Sequence, residues 1–227
     1  MLNFDQIELW YISLKVTSSE LQKLELLLAK EEKARADRFK FDIHRHHFIV
    51  ARANLRIILS HYLSLPSQEI EFSYSPKGKP FLNDYQNLEF NLSHSQDLAV
   101  CAVTENSVLG IDLEYFSSNQ RDSEKIQNIA ERFLSKTESE IIQASASKSK
   151  IFYKIWTAKE AYLKATGCGL GKLEEVSTLW ENGEIIGIAV NQVPLDWMIY
   201  QLIDSHDYII SVASPVTKAI AFQANLK

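Results

Sequence analysis

The sequence predicts an α+β fold, and its order hints at two similar halves. Three observations carry this. Segments with the 3.6-residue apolar period of helices are followed, in each half, by short runs with strand character. No long linker interrupts the chain, and Ser117–Ser123 is only a short polar connection. A faint echo links the halves: Ser93-His94 precedes the run Asp97–Val103, and Ser205-His206 precedes Asp207–Ala213.

Composition sets the bounds. The chain has 227 residues, 46% apolar and 23% charged, enough to bury a proper core as one large or two small domains. No apolar run approaches the ~18 residues of a membrane span. Asp5 and Glu8 near the start do not fit the basic-then-apolar order of a signal peptide. Cys101 and Cys168 lie far apart without metal-ligand spacing, and are read as reduced thiols of a cytoplasmic protein. A net charge of −5 argues against general nucleic-acid affinity.

Ile7–Leu14 alternates weakly and suits a first strand. Ser18 and Ser19 are positioned to cap the next helix, with Leu21, Leu24, Leu27 and Leu28 on its buried face. From Lys30 to Arg56, eight basic residues stand against four acidic ones. Phe48 to Leu59 then marks a long amphipathic helix ending near Leu63, with Arg52 and Arg56 one turn apart. This basic stretch reads equally as a solvated helix face or as a phosphate clamp.

Ile70–Ser75 resembles a strand and leads into Pro76-Lys77-Gly78-Lys79-Pro80-Phe81, either a plain polar turn or a rigid loop whose backbone approaches a ligand closely. Leu88–Leu92 is a strand, expected to end in a Ser93-His94-Ser95 loop. That loop is either a simple turn or a donor of hydrogen bonds to phosphate oxygens. Leu98–Val103 is a buried strand. In the strand Leu109–Tyr115, Asp112 and Glu114 are two apart and share a face. Paired acids repel unless a cation sits between them, and a hard-oxygen pair suits Mg²⁺. An acidic strand edge also simply deters aggregation.

Phe152–Leu170 is the stretch around which these pieces gather. It is a helix closed by Gly167 and Gly169, with Trp156, Glu160 and Lys164 four apart on one face and Lys159 one step round. A carboxylate between two lysines could hold a metal and grip phosphate, and the lysines are expected to keep Glu160 ionised. A Glu–Lys pair at this spacing is also a common surface salt bridge. Elsewhere in the second half, Ile126–Leu134 forms a helix, Ser135 to Glu138 recaps the next one, and Asn182-Gly183 turns a hairpin between Val176–Trp180 and Ile185–Val190. Trp197–Ile203 and Tyr208–Ala213 are further strands.

Taken together, K-G-K-P, F-N-L-S-H-S, G-I-D-L-E and W-T-A-K-E-A-Y-L-K-A-T-G-C-G-L resemble the 4′-phosphopantetheinyl transferases of the Sfp type, over residues 30–215. The resemblance implies two tandem halves, 1–106 and 107–227, related by a pseudo-twofold axis. Each would be a small antiparallel sheet on a long helix, with the active site in the cleft between them. It implies a monomer that moves phosphopantetheine from coenzyme A to a serine of an apo acyl or peptidyl carrier protein, leaving 3′,5′-ADP. It implies no nucleic-acid or membrane partner.

Carried over by position, Asp112, Glu114 and Glu160 would bind Mg²⁺, with Glu160 also the candidate proton acceptor. Lys164 would hold the pyrophosphate, with Lys159 beside it. Ser93 and His94 would bind coenzyme A phosphates, Gly78, Lys79 and Pro80 would line the nucleotide, and Arg35 and Arg52 would clamp the 3′-phosphate side. Glu32 falls where the family's early clamp begins, which leaves the share between Lys33 and Arg35 open. An alternative use of the same residues is a Mg²⁺-dependent hydrolase of the coenzyme A pyrophosphate. Which carrier is served, tolerance for acylated coenzyme A, and Mg²⁺ against Mn²⁺ are not written in these motifs.

Overall fold

Helices and strands interleave along the chain, and the computed structural model describes residues 6–116, 123–203, 208–215 and 219–223. The order is β1 (Gln6–Ser13), α1 (Ser18–Leu26), α2 (Lys30–Ala36), α3 (Asp42–Leu63), β2 (Ser73–Tyr74), β3 (Pro80–Phe81), β4 (Leu88–Ser95), β5 (Leu98–Glu105) and β6 (Gly110–Tyr115). There follow α4 (Ser123–Phe133), α5 (Lys136–Ala144), α6 (Lys148–Thr166), β7 (Val176–Glu181), β8 (Glu184–Val190), β9 (Val193–Ile203), β10 (Tyr208–Ser214) and β11 (Ala219–Gln223). No described helix is long and apolar enough to cross a membrane.

One sheet runs β11-β1-β5-β4 and a second β6-β10-β9-β8-β7, with β2 and β3 as a separate ribbon. The second sheet is antiparallel throughout. The first is mixed, because β11 lies parallel to β1 in the register Gln6 with Ala219 to Trp10 with Gln223. The expectation of a purely antiparallel first sheet is corrected on this point. A parallel strand needs a long crossover, and here nearly the whole chain, residues 14–218, lies between β1 and β11.

Apolar faces set the layering. Val50, Leu55, Ile58 and Leu59 of α3 pack with Ile12, Phe90, Cys101 and Val103 of the first sheet. Phe152, Ile155, Ala158 and Ala161 of α6 pack with Val176, Ile188, Ile199 and Ala213 of the second. The opposite faces meet each other through Ile7, Leu9, Val100, Ala102, Ile111, Leu113, Ile210 and Val212. Alternation along β1, β5, β6 and β10 makes this possible, since successive side chains serve different layers.

Several local expectations shift. The cap of α1 is Thr17, not Ser18 or Ser19: its hydroxyl and the Glu20 side chain satisfy each other's backbone amides. The Ile70–Ser75 strand shortens to the two residues of β2. β4 does not stop at Leu92 but stays paired through Ser93–Val100, His94–Ala99 and Ser95–Leu98, so Ser93-His94-Ser95 is strand rather than loop. The turn comes later, where Gln96 takes a φ of 51°. In the second half the Ser135–Glu138 capping box forms as read. Gly167 closes α6 at a φ of 68°. Asn182 and Gly183 both take positive φ, the primed turn that suits a hairpin. The echo at Ser205-His206 and most of the Ser117–Ser123 connection lie outside the described residues.

Candidate active site

Gly110 decides how the site is built. A Cβ there would lie 2.1 Å from the Ala161 carbonyl oxygen and 2.4 Å from the Ala165 amide nitrogen, so only glycine lets β6 lie against α6. The alanines at 161 and 165 keep the helix side of the contact small. Asp112, two residues further along β6, is thereby set beside Glu160 and Lys164. The Lys164 ammonium donates to Asp112 Oδ1 at 2.5 Å and to Ser93 Oγ at 2.9 Å. Ser93 in turn donates to Asp112 Oδ1 at 3.0 Å.

The edge of β4 meets β6 through side chains instead of a backbone ladder. Asn91 Oδ1, Ser93 Oγ and Ser95 Oγ accept the amides of Ile111, Leu113 and Tyr115 at 2.9, 3.2 and 3.1 Å. Ser95 also donates to Glu114 Oε2 at 2.9 Å. Period-two alternation places these three side chains on one face, so each acid of β6 has a hydroxyl of β4 opposite it. The acidic edge is therefore not a solvated deterrent to aggregation, and Asp112 is only 2% exposed.

The electrostatics follow from burial. Glu160 is pushed up to about 8, first by desolvation and then by the charges of Asp112 and Glu114. Lys164 and a hydrogen bond from Trp156 oppose the shift. The expectation that lysines keep Glu160 ionised at neutral pH is corrected: only Lys164 is near, and burial outweighs it. Lys164 is raised as well, which for a lysine favours the charged form. Burial opposes its charge, but Asp112, Glu160 and Glu114 together hold it above the ordinary lysine value.

Among the described residues, no three His, Cys, Asp or Glu side chains are drawn into a preformed metal cage. The ammonium of Lys164 sits on Asp112 instead. The donors nonetheless fit a hard divalent cation. Asp112 Oδ2 is buried without a hydrogen-bond partner, and the Asp112 and Glu114 charges that add to the desolvation of Glu160 are ones a cation would neutralise.

The remaining residues picked out from the sequence fall in different places. Lys159 is not at the cluster. One residue round the helix from Glu160, it is fully buried on another side of α6, bonded to the Phe133 carbonyl at 2.8 Å and Glu138 at 3.3 Å. There it helps join α4, α5 and α6, because Glu138 also accepts from Thr178 and closes the cap of α5. His94 is on the surface near Lys164; desolvation, then the charges of Lys164, His47 and His44, keep its imidazole below the ordinary value. Gly78 turns the loop at a φ of 86°, its amide bonded to the Ser75 carbonyl at 2.8 Å, and Pro80 begins β3. The Lys79 ammonium donates to the Ala165 carbonyl at 3.0 Å.

Arg35 is exposed, its guanidinium 5.1 Å from the Phe48 ring centre. Arg52 is neither a solvated face nor an open clamp. It is buried, bonded to Glu32 and the Tyr74 hydroxyl, and stacked 4.0 Å over Phe72. Arg56 joins the same Glu32 at 2.7 Å and caps the Ser67 and Ile70 carbonyls at 2.9 Å each. Burial pushes the Glu32 carboxyl up, but the two arginines and the Ala29 amide outweigh it and bring it below the usual range. Charge composition could not separate these outcomes, because the buried partner lies twenty residues away in sequence.

Sequence reasoning missed the supporting shell: Asn91, Ser95, and Trp156 as a donor to Glu160. The spacing N-x-S-x-S opposite I-x-L-x-Y was the available signal for the first two.

An open cleft of about 850 Å³ lies elsewhere, among Ile126 and Ala130 of α4, Ile142 of α5 and Lys148 and Lys150 at the start of α6. Lys150 is ten residues before Glu160, so the cleft opens about 15 Å along the helix from the carboxylates.

Comparison with known proteins bears on this geometry. Residues 108–213 match the model of the 4′-phosphopantetheinyl transferase superfamily, and residues 14–106 that of the 4′-phosphopantetheinyl transferase N-terminal region. The 4′-phosphopantetheinyl transferase HetI of Nostoc sp. strain PCC 7120 is 40% identical over 214 residues, covering 92% of this chain and 87% of that protein. The 4′-phosphopantetheinyl transferase psf-1 of Bacillus pumilus is 28% identical, covering 92% and 89%. The 4′-phosphopantetheinyl transferase Sfp of Bacillus subtilis is 26% identical, covering 90% and 91%. With one relative at 40% identity along nearly its full length, and both halves matched by models of the same family, the chain belongs to the 4′-phosphopantetheinyl transferase superfamily.

Proposed function

We propose that this protein transfers the 4′-phosphopantetheine group from coenzyme A to a serine of an apo acyl or peptidyl carrier protein, releasing 3′,5′-ADP. The observation that carries the reading is the convergence of Lys164, Asp112, Ser93 and Glu160 at the junction of β4, β6 and α6 in a chain of this family. The relatives carry the names of transferases, which does not favour the hydrolase alternative.

The roles follow from charge and geometry. The Lys164 ammonium, held charged by its carboxylate neighbours, faces the leaving phosphate and stabilises the charge that develops there. Asp112, Glu114 and Glu160 would hold Mg²⁺, which supplies further neutralisation of the pyrophosphate when bound. Glu160 takes the proton of the carrier serine. Only its ionised form can accept, so Glu160 must lose the proton that burial favours before that step. His94, beside Lys164, donates to a phosphate oxygen, and exposed Arg35 stands at the nucleotide end.

Carrier proteins are generally acidic, and the end of α4 offers a complementary surface. Arg132 is exposed, with its guanidinium 4.9 Å from the centre of the half-buried Phe133 ring. Phe133 packs edge-on against Trp156, one turn of α6 before Glu160, so a carrier seated there brings its serine toward the carboxylates. In this reading the protein acts as a monomer of two halves related by a pseudo-twofold axis.

The test is the purified protein with coenzyme A, Mg²⁺ and a panel of apo-carriers, read by intact mass. A carrier gaining one phosphopantetheine supports the reading. Release of phosphopantetheine without a carrier would revive the hydrolase.

A further inference from the structure

The Ser75–Pro80 loop is stiff by itself and fastened to the catalytic helix from outside. The Ser75 amide bonds to the Lys79 carbonyl at 2.9 Å and the Gly78 amide to the Ser75 carbonyl at 2.8 Å. The Lys79 amide donates to Ser75 Oγ at 3.0 Å. A loop closed by three internal bonds moves as one piece.

That piece touches the end of α6 in two places. The Lys77 stem lies against Gly169, 3.7 Å from where a Cβ would stand. The Lys79 ammonium reaches the Ala165 carbonyl at 3.0 Å, with the Leu109 carbonyl and Glu89 carboxylate each at 3.5 Å. Ala165 is in the last turn of α6, so its carbonyl is one of the four that no helix amide can reach. A cation there also meets the negative end of the helix dipole. Leu109 directly precedes Gly110, the residue that lets β6 lie on α6. One ammonium thus bridges the loop, the end of α6 and the start of β6. Lys164, the residue before Ala165, is held in the turn that this bridge closes.

We infer that Lys79 is a positioning residue: its ammonium is not a phosphate ligand but the tie that fixes the Lys164-bearing turn of α6 against the Ser75–Pro80 loop. Three observations favour this over direct ligation. The ammonium already has a good carbonyl acceptor and two weaker oxygen contacts, its side chain is only 17% exposed, and those oxygens belong to three different segments. The loop lies beside the nucleotide in the proposed function, and the inference rests on that reading only for its effect on rate.

The experiment has two arms. In the substrate-free enzyme, Lys79→Met keeps the stem and removes the donors. Amide exchange is expected to accelerate about tenfold or more in residues 164–169 and 75–80, with the rest of the protein unchanged. Lys79→Arg, which retains donors, should restore most of the protection. In turnover, Lys79→Met should lower kcat about tenfold while KM for the carrier stays within twofold. Parental exchange in 164–169, or a raised KM for coenzyme A with parental kcat, would overturn the inference and return Lys79 to the phosphates. If Lys79→Met does not fold, the same exchange and rate measurements on Lys79→Gln decide it. The exchange arm needs no reaction, so failure of the proposed transfer by the parent enzyme is a separate outcome.

Discussion

Gly110→Ala is the sharpest perturbation of this site, because it adds one methyl group and no charge. The new Cβ would start 2.1 Å from the Ala161 carbonyl oxygen, against 3.4 Å for ordinary contact, and both neighbours are backbone. Nothing flexible can yield, so β6 and α6 must separate by about the difference, ~1.3 Å. The bond from Lys164 to Asp112 is 2.5 Å, and that separation carries it beyond the hydrogen-bond range. Overpacking of this kind costs ~1–3 kcal/mol, or roughly 2–12 °C in Tm for a chain of this size. A displacement near 1 Å in catalytic geometry costs ~10²-fold in rate. The measurements are Tm by calorimetry, and kcat at saturating coenzyme A from the mass shift of an apo-carrier. A variant that folds and melts like the parent with kcat within threefold would refute the reasoning that Gly110 sets the distance between the acids and Lys164.

Three further outcomes are expected. Glu160→Gln should lower kcat by ~10²–10⁴ while carrier docking stays near normal. The same variant tests the raised pKa. With no divalent cation, neutral Glu160 contributes stability that is fully present below its unfolded value near 4.5 and is lost as pH rises through about 8. Denaturation midpoints of parent and variant should therefore diverge between those pH values, the parent falling more steeply; parallel curves would remove the shift. Glu32→Gln leaves two buried guanidiniums without their anion and should cost about 3–5 kcal/mol in urea unfolding, a loss below ~1 kcal/mol contradicting the buried network. Arg132→Glu, alone or with Phe133→Ala, should weaken carrier binding in a titration and spare coenzyme A binding; equal loss of both would place α4 outside the docking surface.

Some of this was legible in the sequence and some was not, for identifiable reasons. The helix carrying Trp156, Glu160 and Lys164 on one face, closed by Gly167, follows from spacing and a glycine stop, and the structure forms it. The Asn182-Gly183 hairpin and the Ser135 capping box are equally local. Interactions set by long-range packing were not readable. Lys159 and Glu160 are adjacent in sequence, yet 100° of helix rotation sends one to the Phe133 carbonyl and the other to Asp112. Arg52 and Arg56 carry the charge pattern of an anion clamp, but Glu32 from another helix claims both. Ser93-His94-Ser95 looks like a turn, and only pairing with β5 keeps it extended.

The place of β11 has a consequence for how the molecule is made. β1 is the second strand of its sheet, with β5 on one side and β11 on the other. During synthesis β5 emerges soon enough to pair with β1, but roughly 110 further residues must be made before Ala219 appears. At ~5–20 residues per second, that leaves one side of β1 an open hydrogen-bonding edge for on the order of ten seconds. An unpaired edge invites pairing with another chain. The first half alone, cut near residue 106, would keep that edge permanently and is expected to self-associate. A peptide spanning Ala219–Gln223, added in trans, would suppress this.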